Sequence, residues 1–322
     1  MSRLPGRSPF TLNGMTTTDA TALETHFAFG ANWRRFLKRV DTSRVEAATT
    51  SLRRLLGLAE TRRLDGQTFL DAGCGSGLFS LAAHRLGASV VGFDFDPQSV
   101  ACSQELQRRF ATPGVWPITE GSVLDRDFLA RLVTEHGPFD IVYSWGVLHH
   151  TGAIWDAVDA VSGCVADGGD LAIALYNEQG RASARWRGIK AAYQKLPAAL
   201  QTPYVAAIGA GYFGWRAAGK LADTLASPIE IARDDAIARR NALAEAVTRV
   251  DARGMSRWND LVDWVGGWPY ETATPGEVVT FTNARGFSLK RQFTVAGNHG
   301  CNEFVFTKTG DASAASPDRL HA

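Results

Sequence analysis

The sequence predicts an α/β fold, a parallel sheet with helices on both faces, interrupted after its fifth strand by a helical insert. Three observations lead there. Between Gln67 and Asn177 short β-rich runs alternate with helix-length stretches, at the spacing that parallel strands joined by crossover helices require. After Asn177 that alternation stops for about a hundred residues by the helix-pattern criterion. Two further β-rich runs, Phe287–Val295 and Asn302–Lys308, then return near the end of the chain.

Taken in order, residues 1–20 read as a polar tail and 21–66 as a helical N-terminal cap. Residues 67–179 read as the sheet core, 180–280 as a helical insert or lid, 281–309 as the last two strands, and 310–322 as a second polar tail. Within the core the strand candidates are Thr68–Asp71, Ser89–Asp94, Val115–Thr119, Phe139–Ser144 and Leu171–Tyr176. The first helix begins near Gly77. The second, Pro97 to Phe110, has proline at its first helical position and Asp96 as N-cap. The third runs from Asp127 to near Thr134, and the fourth from Ala153 to Val165, closed by Gly168 and Gly169. In the insert, Trp186, Ile189, Lys190 and Tyr193 share one helical face, and Pro228 to Val250 reads as a longer charged helix.

Composition narrows the function classes. The 322 residues carry a formal charge of +1, which gives no global field for nucleic acid or an anionic membrane. The apolar run Tyr204 to Trp215 is too short to cross a bilayer, and reads as a buried or lid helix. The start of the chain has no signal-peptide pattern. Cys74, Cys102, Cys164 and Cys301 share no C-x-x-C spacing and no histidine cluster, so the reading is a reducing cytosol, with neither a disulfide framework nor a metal site.

The chemistry centres on Phe69-Leu70-Asp71-Ala72-Gly73-Cys74-Gly75-Ser76-Gly77, a turn between the first strand and the first helix. Gly73, Gly75 and Gly77 let the backbone turn tightly and approach a ligand. A dinucleotide fingerprint would place its third glycine where Leu78 stands. Asp71, just ahead of the turn, suits a cationic ligand better than a pyrophosphate. S-adenosylmethionine carries a sulfonium and an ammonium and no phosphate. Asp94, at the end of the second strand, suits ribose hydroxyls. Asp125 either accepts from the adenine amino group or merely caps the next helix, and Phe95 suits the adenine face.

Phe69–Gly77, Val90–Asp96, Gly121–Asp125 and Phe139–His150 resemble the successive motifs of class I S-adenosylmethionine-dependent methyltransferases. The resemblance covers roughly Gln67–Asn177 plus the two late strands. It implies a Rossmann-like, seven-stranded, mostly parallel sheet whose last strand is antiparallel. Leu148-His149-His150 is similar to small-molecule members, including ubiquinone-biosynthesis O-methyltransferases. The insert departs from their compact pattern, so their quinone acceptor is not carried over.

Ligands of open α/β sheets gather at the carboxyl ends of the strands. That places Ser144 and Trp145, with His149 and His150, beside Tyr176 and Asn177. His149 is the first candidate for substrate contact or general base and His150 the second, each alternatively a backbone-bonded cap. Tyr176 and Asn177 either orient the acceptor or hold structure. Phe27 to Trp33 reads as a cap over the cofactor or as a hydrophobic staple. The tryptophan-rich part of the insert is a lid or a homodimer contact.

The expected activity is therefore methyl transfer from S-adenosylmethionine to an O, N or S atom of a small molecule. Methylation of RNA or protein is the second reading, with Arg181, Arg185, Arg187 and Lys190 either a basic stretch for phosphate or, the favoured reading, a solvated helix face. A non-catalytic cofactor-binding subunit is the third.

Overall fold

The computed structural model describes residues 29–111, 115–226, 257–295 and 300–309. Two helices precede the sheet, α1 (Phe29–Leu37) and α2 (Thr42–Leu56). In α2, Asp41 caps the first turn through the Arg44 amide, and Gly57 closes the last turn in the left-handed conformation. Val45, Ala48, Leu52, Leu55 and Leu56 recur at three- and four-residue spacing along its buried face.

The core then alternates as the sequence predicts. It runs β1 (Thr68–Ala72), α3 (Leu78–Arg85), β2 (Ser89–Asp94), α4 (Pro97–Phe110), β3 (Ile118–Glu120), α5 (Arg126–His136) and β4 (Phe139–Trp145). A 3₁₀ turn (Leu148–His150), α6 (Ile154–Ser162) and β5 (Val165–Tyr176) follow. The insert supplies α7 (Arg181–Gln194), α8 (Ala198–Ala226) and α9 (Arg257–Gly266). The chain returns through α10 (Pro275–Asn283) to β6 (Phe287–Phe293) and β7 (Cys301–Lys308).

Among the described residues the strands form one seven-stranded sheet in the order β3-β2-β1-β4-β5-β7-β6. β1 to β5 pair in parallel, whereas β7 runs antiparallel to both of its neighbours. The chain moves outward from β1 to β3 and then returns to lay β4 against β1. The crevice above that reversal is where an open sheet binds its ligand.

Strand alternation sends neighbouring side chains to opposite cores. Phe69, Ile141, Ala172 and Val305 join α1 to α4 on one face. Leu70, Val142, Leu171, Phe304 and Phe306 join α6 and α10 on the other. A third cluster belongs to the insert: Trp186, Tyr193, Val205, Val262, Val265 and Tyr270 pack together and meet the sheet at Tyr176. All four cysteines are free thiols.

Several expected boundaries move. Val115 is 85% exposed and β3 starts only at Ile118. The fourth helix ends at Ser162, three residues short of Val165, because the chain already enters β5 there. Gly168 and Gly169 therefore do not close a helix. They sit in a bulge of β5, where the pairing steps from Phe139↔Val165 to Ile141↔Asp170 and Gly168 adopts φ +77°. Pro228 to Val250 lies outside the described residues, as do Phe27 and Ala28. The run from Tyr204 to Trp215 falls within α8. Among the described residues no helix is long and apolar enough to cross a membrane.

Candidate active site

The glycine loop leaves β1 and turns back under β2, with the Gly73 and Cys74 amides both donating to the Phe93 carbonyl. Gly73, Gly75 and Gly77 have φ of +82°, +54° and +78°, a region that side chains other than glycine's rarely adopt. Space is as demanding as conformation. A Cβ on Gly77 would stand 2.2 Å from the Ser103 hydroxyl of α4, and one on Gly75 3.0 Å from the Trp33 indole nitrogen. α1 therefore lies directly over the loop. It is fastened there by the Gly30 amide donating to Asp96 (2.8 Å) and by Arg34 donating to Gln98 (2.9 Å).

The two acids behave differently. Asp71 is buried, and its carboxylate accepts a 2.5 Å hydrogen bond from the Ser80 hydroxyl of α3. Burial pushes its pKa up to about 7, with Asp94 nearby adding to the rise. Asp94 is half-buried at the mouth of the crevice. One oxygen accepts from the Gly75 amide (2.8 Å) and the other from the Asp96 amide (2.9 Å). Burial raises its pKa to about 6 against the pull of those two amides. A carboxylate has about four lone-pair directions, so both oxygens keep capacity for ribose hydroxyls. The residues present thus fit an adenosyl ligand: a glycine-turn backbone beside an acid with acceptor capacity left.

Phe95 follows Asp94 directly and is 39% exposed. Asp125 caps α5, accepting from the Phe128 amide at 2.9 Å. Ser144 is buried and donates to the Ala72 carbonyl (2.8 Å), tying β4 to β1. Trp145 donates its indole N–H to Glu303 of β7 (2.8 Å), a carboxylate that also pairs with Arg54.

At the far end of the crevice the aromatic residues converge. His149 is fully buried, and its ring lies 3.7 Å from that of Tyr176. Its Nδ1 accepts from the Tyr176 amide (3.3 Å), the Ala174 carbonyl also acts on the ring, and the buried Nε2 has no hydrogen-bond partner among the described residues. Burial first, then the charges of His150 and Lys190, hold His149 well below the usual imidazole range. The ring is therefore held neutral. His150 turns the other way: its Nδ1 donates to the Pro269 carbonyl at 2.6 Å, and its ring meets Phe29 of α1. Asn177 accepts from Asn302 (2.9 Å) and bridges to Ala273, fixing the end of β5.

Lys190 requires a correction. Expected in a phosphate-facing stretch, it is wholly buried, unlike the exposed Arg181, Arg185 and Arg187. Its ammonium donates to the Trp264 carbonyl and stands 4.9–5.2 Å from the ring centres of Tyr270, Trp264 and Tyr176. The spacing that groups it with Trp186 and Tyr193 was the signal, since that face of α7 packs inward. Asn32 and Asp263 carried no signal at all. They join α1 to α9 through a 2.8 Å hydrogen bond, and burial raises the Asp263 carboxyl well above the usual range.

Comparison with known proteins bears on the donor side. Residues 70–171 match the family model described as a methyltransferase domain. The tRNA U34 carboxymethyltransferase of Methylococcus capsulatus is 36% identical over 121 residues, 37% of this chain and 35% of that protein. The ribosomal protein L11 methyltransferase of Aliivibrio salmonicida is 48% identical over 59 residues, 18% of this chain and 19% of its own. The chain thus spans about a third or less of the length of these curated relatives. The structure of magnesium protoporphyrin IX methyltransferase from Synechocystis PCC 6803 with bound SAH aligns over 90% of this chain and 99% of that one. The identity is 14% and the TM-score 0.48. The segment that matches the methyltransferase-domain model holds the glycine loop, Asp94 and the reversal of strand order.

Proposed function

We propose that the protein transfers the methyl group of S-adenosylmethionine to an oxygen, nitrogen or sulfur atom of a small-molecule acceptor. The observation that carries this reading is the aromatic packing over the glycine loop and around Tyr176. Trp33 of α1 covers the glycine loop, and Phe29 meets His150. Tyr270 and Trp264 of the insert stand over Tyr176. A walled, aromatic acceptor end suits a small planar or apolar molecule better than a folded RNA or protein surface.

Bound S-adenosylmethionine supplies a methyl carbon already activated by its sulfonium. The chain's own task is alignment and exclusion of water. Asp94 would hold the ribose, the Gly73–Gly77 backbone would leave room for the aminoacyl portion, and Phe95 and Asp125 would flank the adenine. Asp71 shapes the loop from beneath through Ser80. Trp145, Tyr176 and Asn177 would wall the acceptor side. His149 would line the acceptor side with a neutral ring.

The exposed arginines of α7 support the RNA reading only weakly, since Lys190 has left that stretch for the interior. The reduced cysteines support a cytosolic setting. Isothermal titration with S-adenosylmethionine and S-adenosylhomocysteine tests the donor half of the proposal. Absence of heat and of thermal stabilisation with either ligand would refute it. Capture of RNA at low salt by the pure protein, abolished when the three arginines are neutralised, would refute the small-molecule half.

A further inference from the structure

We propose that Glu303 of β7 is a positioning residue for the acceptor site: it holds the Trp145 indole across β5 and so fixes the turn after β4 on which a small aromatic acceptor lies. The proposal rests on the methyltransferase reading above and deepens its acceptor side.

Strand register brings the parts together. Trp145 pairs with Ala174 of β5, and Ala174 pairs with Glu303, so the three side chains stand in one row on one face of the sheet. The row lies at the carboxyl end of the parallel strands, where β7 begins beside Tyr176. Ala174 is fully buried and small, which lets the indole reach across it to Glu303, its N–H donating at 2.8 Å. The other carboxylate oxygen accepts from Arg54 of α2, whose guanidinium stands 4.3 Å from the ring centre of Phe293 on β6. Arg54 thus aims the carboxylate, and the carboxylate aims the indole.

The turn after Trp145 touches the donor loop and opens beside the indole. Val147 packs there so closely that a Cβ on Gly73 would stand 2.5 Å from it, whereas one on Gly146 would meet nothing within 4 Å. The middle of the turn therefore faces free space next to a half-buried indole. Glu303 is only 8% exposed, and burying a carboxylate is costly even when it is paired. Holding the strand in place needs no charge, since Val305 on the same face of β7 packs there with methyl groups alone. What the carboxylate adds is a directional, charge-assisted bond, given to the indole and steadied by Arg54. An indole fixed in this way offers a ring against which a small aromatic acceptor packs.

The test uses the full chain, ¹⁵N-labelled at tryptophan and saturated with S-adenosylhomocysteine, with the Trp145 indole resonance assigned through Trp145→Phe. Catechol, p-cresol, 2-naphthol, thiophenol and aniline are the probes. We expect at least one of them to shift that resonance as it binds. Its Kd should be about tenfold or more weaker in Glu303→Ala, and within about threefold of the unmodified protein in Glu303→Gln, whose amide oxygen still accepts from the indole. Arg54→Met, a change at an exposed side chain, should fall between, and it carries the test if Glu303→Ala does not fold. S-adenosylhomocysteine affinity should hold in all three. No probe that shifts Trp145, a probe affinity unmoved by Glu303→Ala and Arg54→Met, or a loss that Glu303→Gln fails to restore would each overturn the proposal. Failure of the unmodified protein to bind S-adenosylhomocysteine would instead refute the methyltransferase reading.

Discussion

Replacing Asp94 gives the most quantitative test of the donor site. Its oxygens each accept one loop amide, Gly75 and Asp96, with the Ser99 hydroxyl close by. Two acceptor directions therefore remain for two ribose hydroxyls. Hydrogen bonds to a charged group contribute about 1.5–3 kcal/mol each. Asp94→Ala should thus cost about 3–6 kcal/mol of cofactor binding, a rise in Kd of about 10² to 10⁴. Asp94→Asn keeps one acceptor oxygen and should fall between. Titration calorimetry with S-adenosylhomocysteine reads both variants, and urea denaturation confirms that each is folded. The acid also sets a pH dependence. With its pKa at about 6 in the free protein, affinity should fall as pH drops through 6, because the protonated carboxyl loses acceptor strength. A folded Asp94→Ala variant with a Kd within about threefold of the unmodified protein would refute this account of the loop.

Three further outcomes follow from the packing. Gly77→Ala should lower stability by about 1–3 kcal/mol from its positive φ alone, and more if Ser103 cannot yield; an unchanged urea midpoint would contradict the crowding. Lys190→Met should raise stability at pH 7 by about 1–4 kcal/mol. Burial lowers the Lys190 pKa to about 7, with Asp263 and Cys301 opposing the fall and His149 facing it across Tyr176. Between about pH 7 and 10.5 the unfolded chain then binds the extra proton, so the unmodified protein should gain stability as pH rises there. The methionine variant should lose that gain, and identical pH profiles would sink the argument. Asn32→Ala should cost about 1–3 kcal/mol by stranding Asp263, with faster amide exchange across residues 29–37; unaltered exchange would show that the bond does not hold α1 down.

What could be read before folding was local or repeated. The Asp71–Gly77 loop, Asp94 and the Asp96 cap with Pro97 are contiguous patterns whose function follows from their place between a strand and a helix. Their elements lie close to where pattern reading puts them. Gly168 and Gly169 misled because a glycine pair closing a helix and one opening a strand bulge look alike in sequence. The acceptor end was harder, since its residues meet only through tertiary packing. Asn32 and Asp263 stand 231 positions apart. Lys190 looked like one of four surface cations, and only the Trp186–Tyr193 face of its helix hinted otherwise. Pattern reading named His149 as a candidate, but its burial against the Tyr176 ring depends on packing across the turn.

The position of β7 between β5 and β6 has a consequence for how the molecule is made. The last of the seven strands to emerge from the ribosome is not an edge but an interior strand, pairing Tyr176 with Cys301 on one side and Phe287 with Lys308 on the other. Until residues 301–308 are synthesised, β5 and β6 each present bare peptide groups to solvent, the arrangement that invites pairing between nascent chains. Truncation just after Phe293 should therefore yield aggregates instead of a smaller soluble enzyme, and a peptide spanning 301–308 supplied in trans should rescue it.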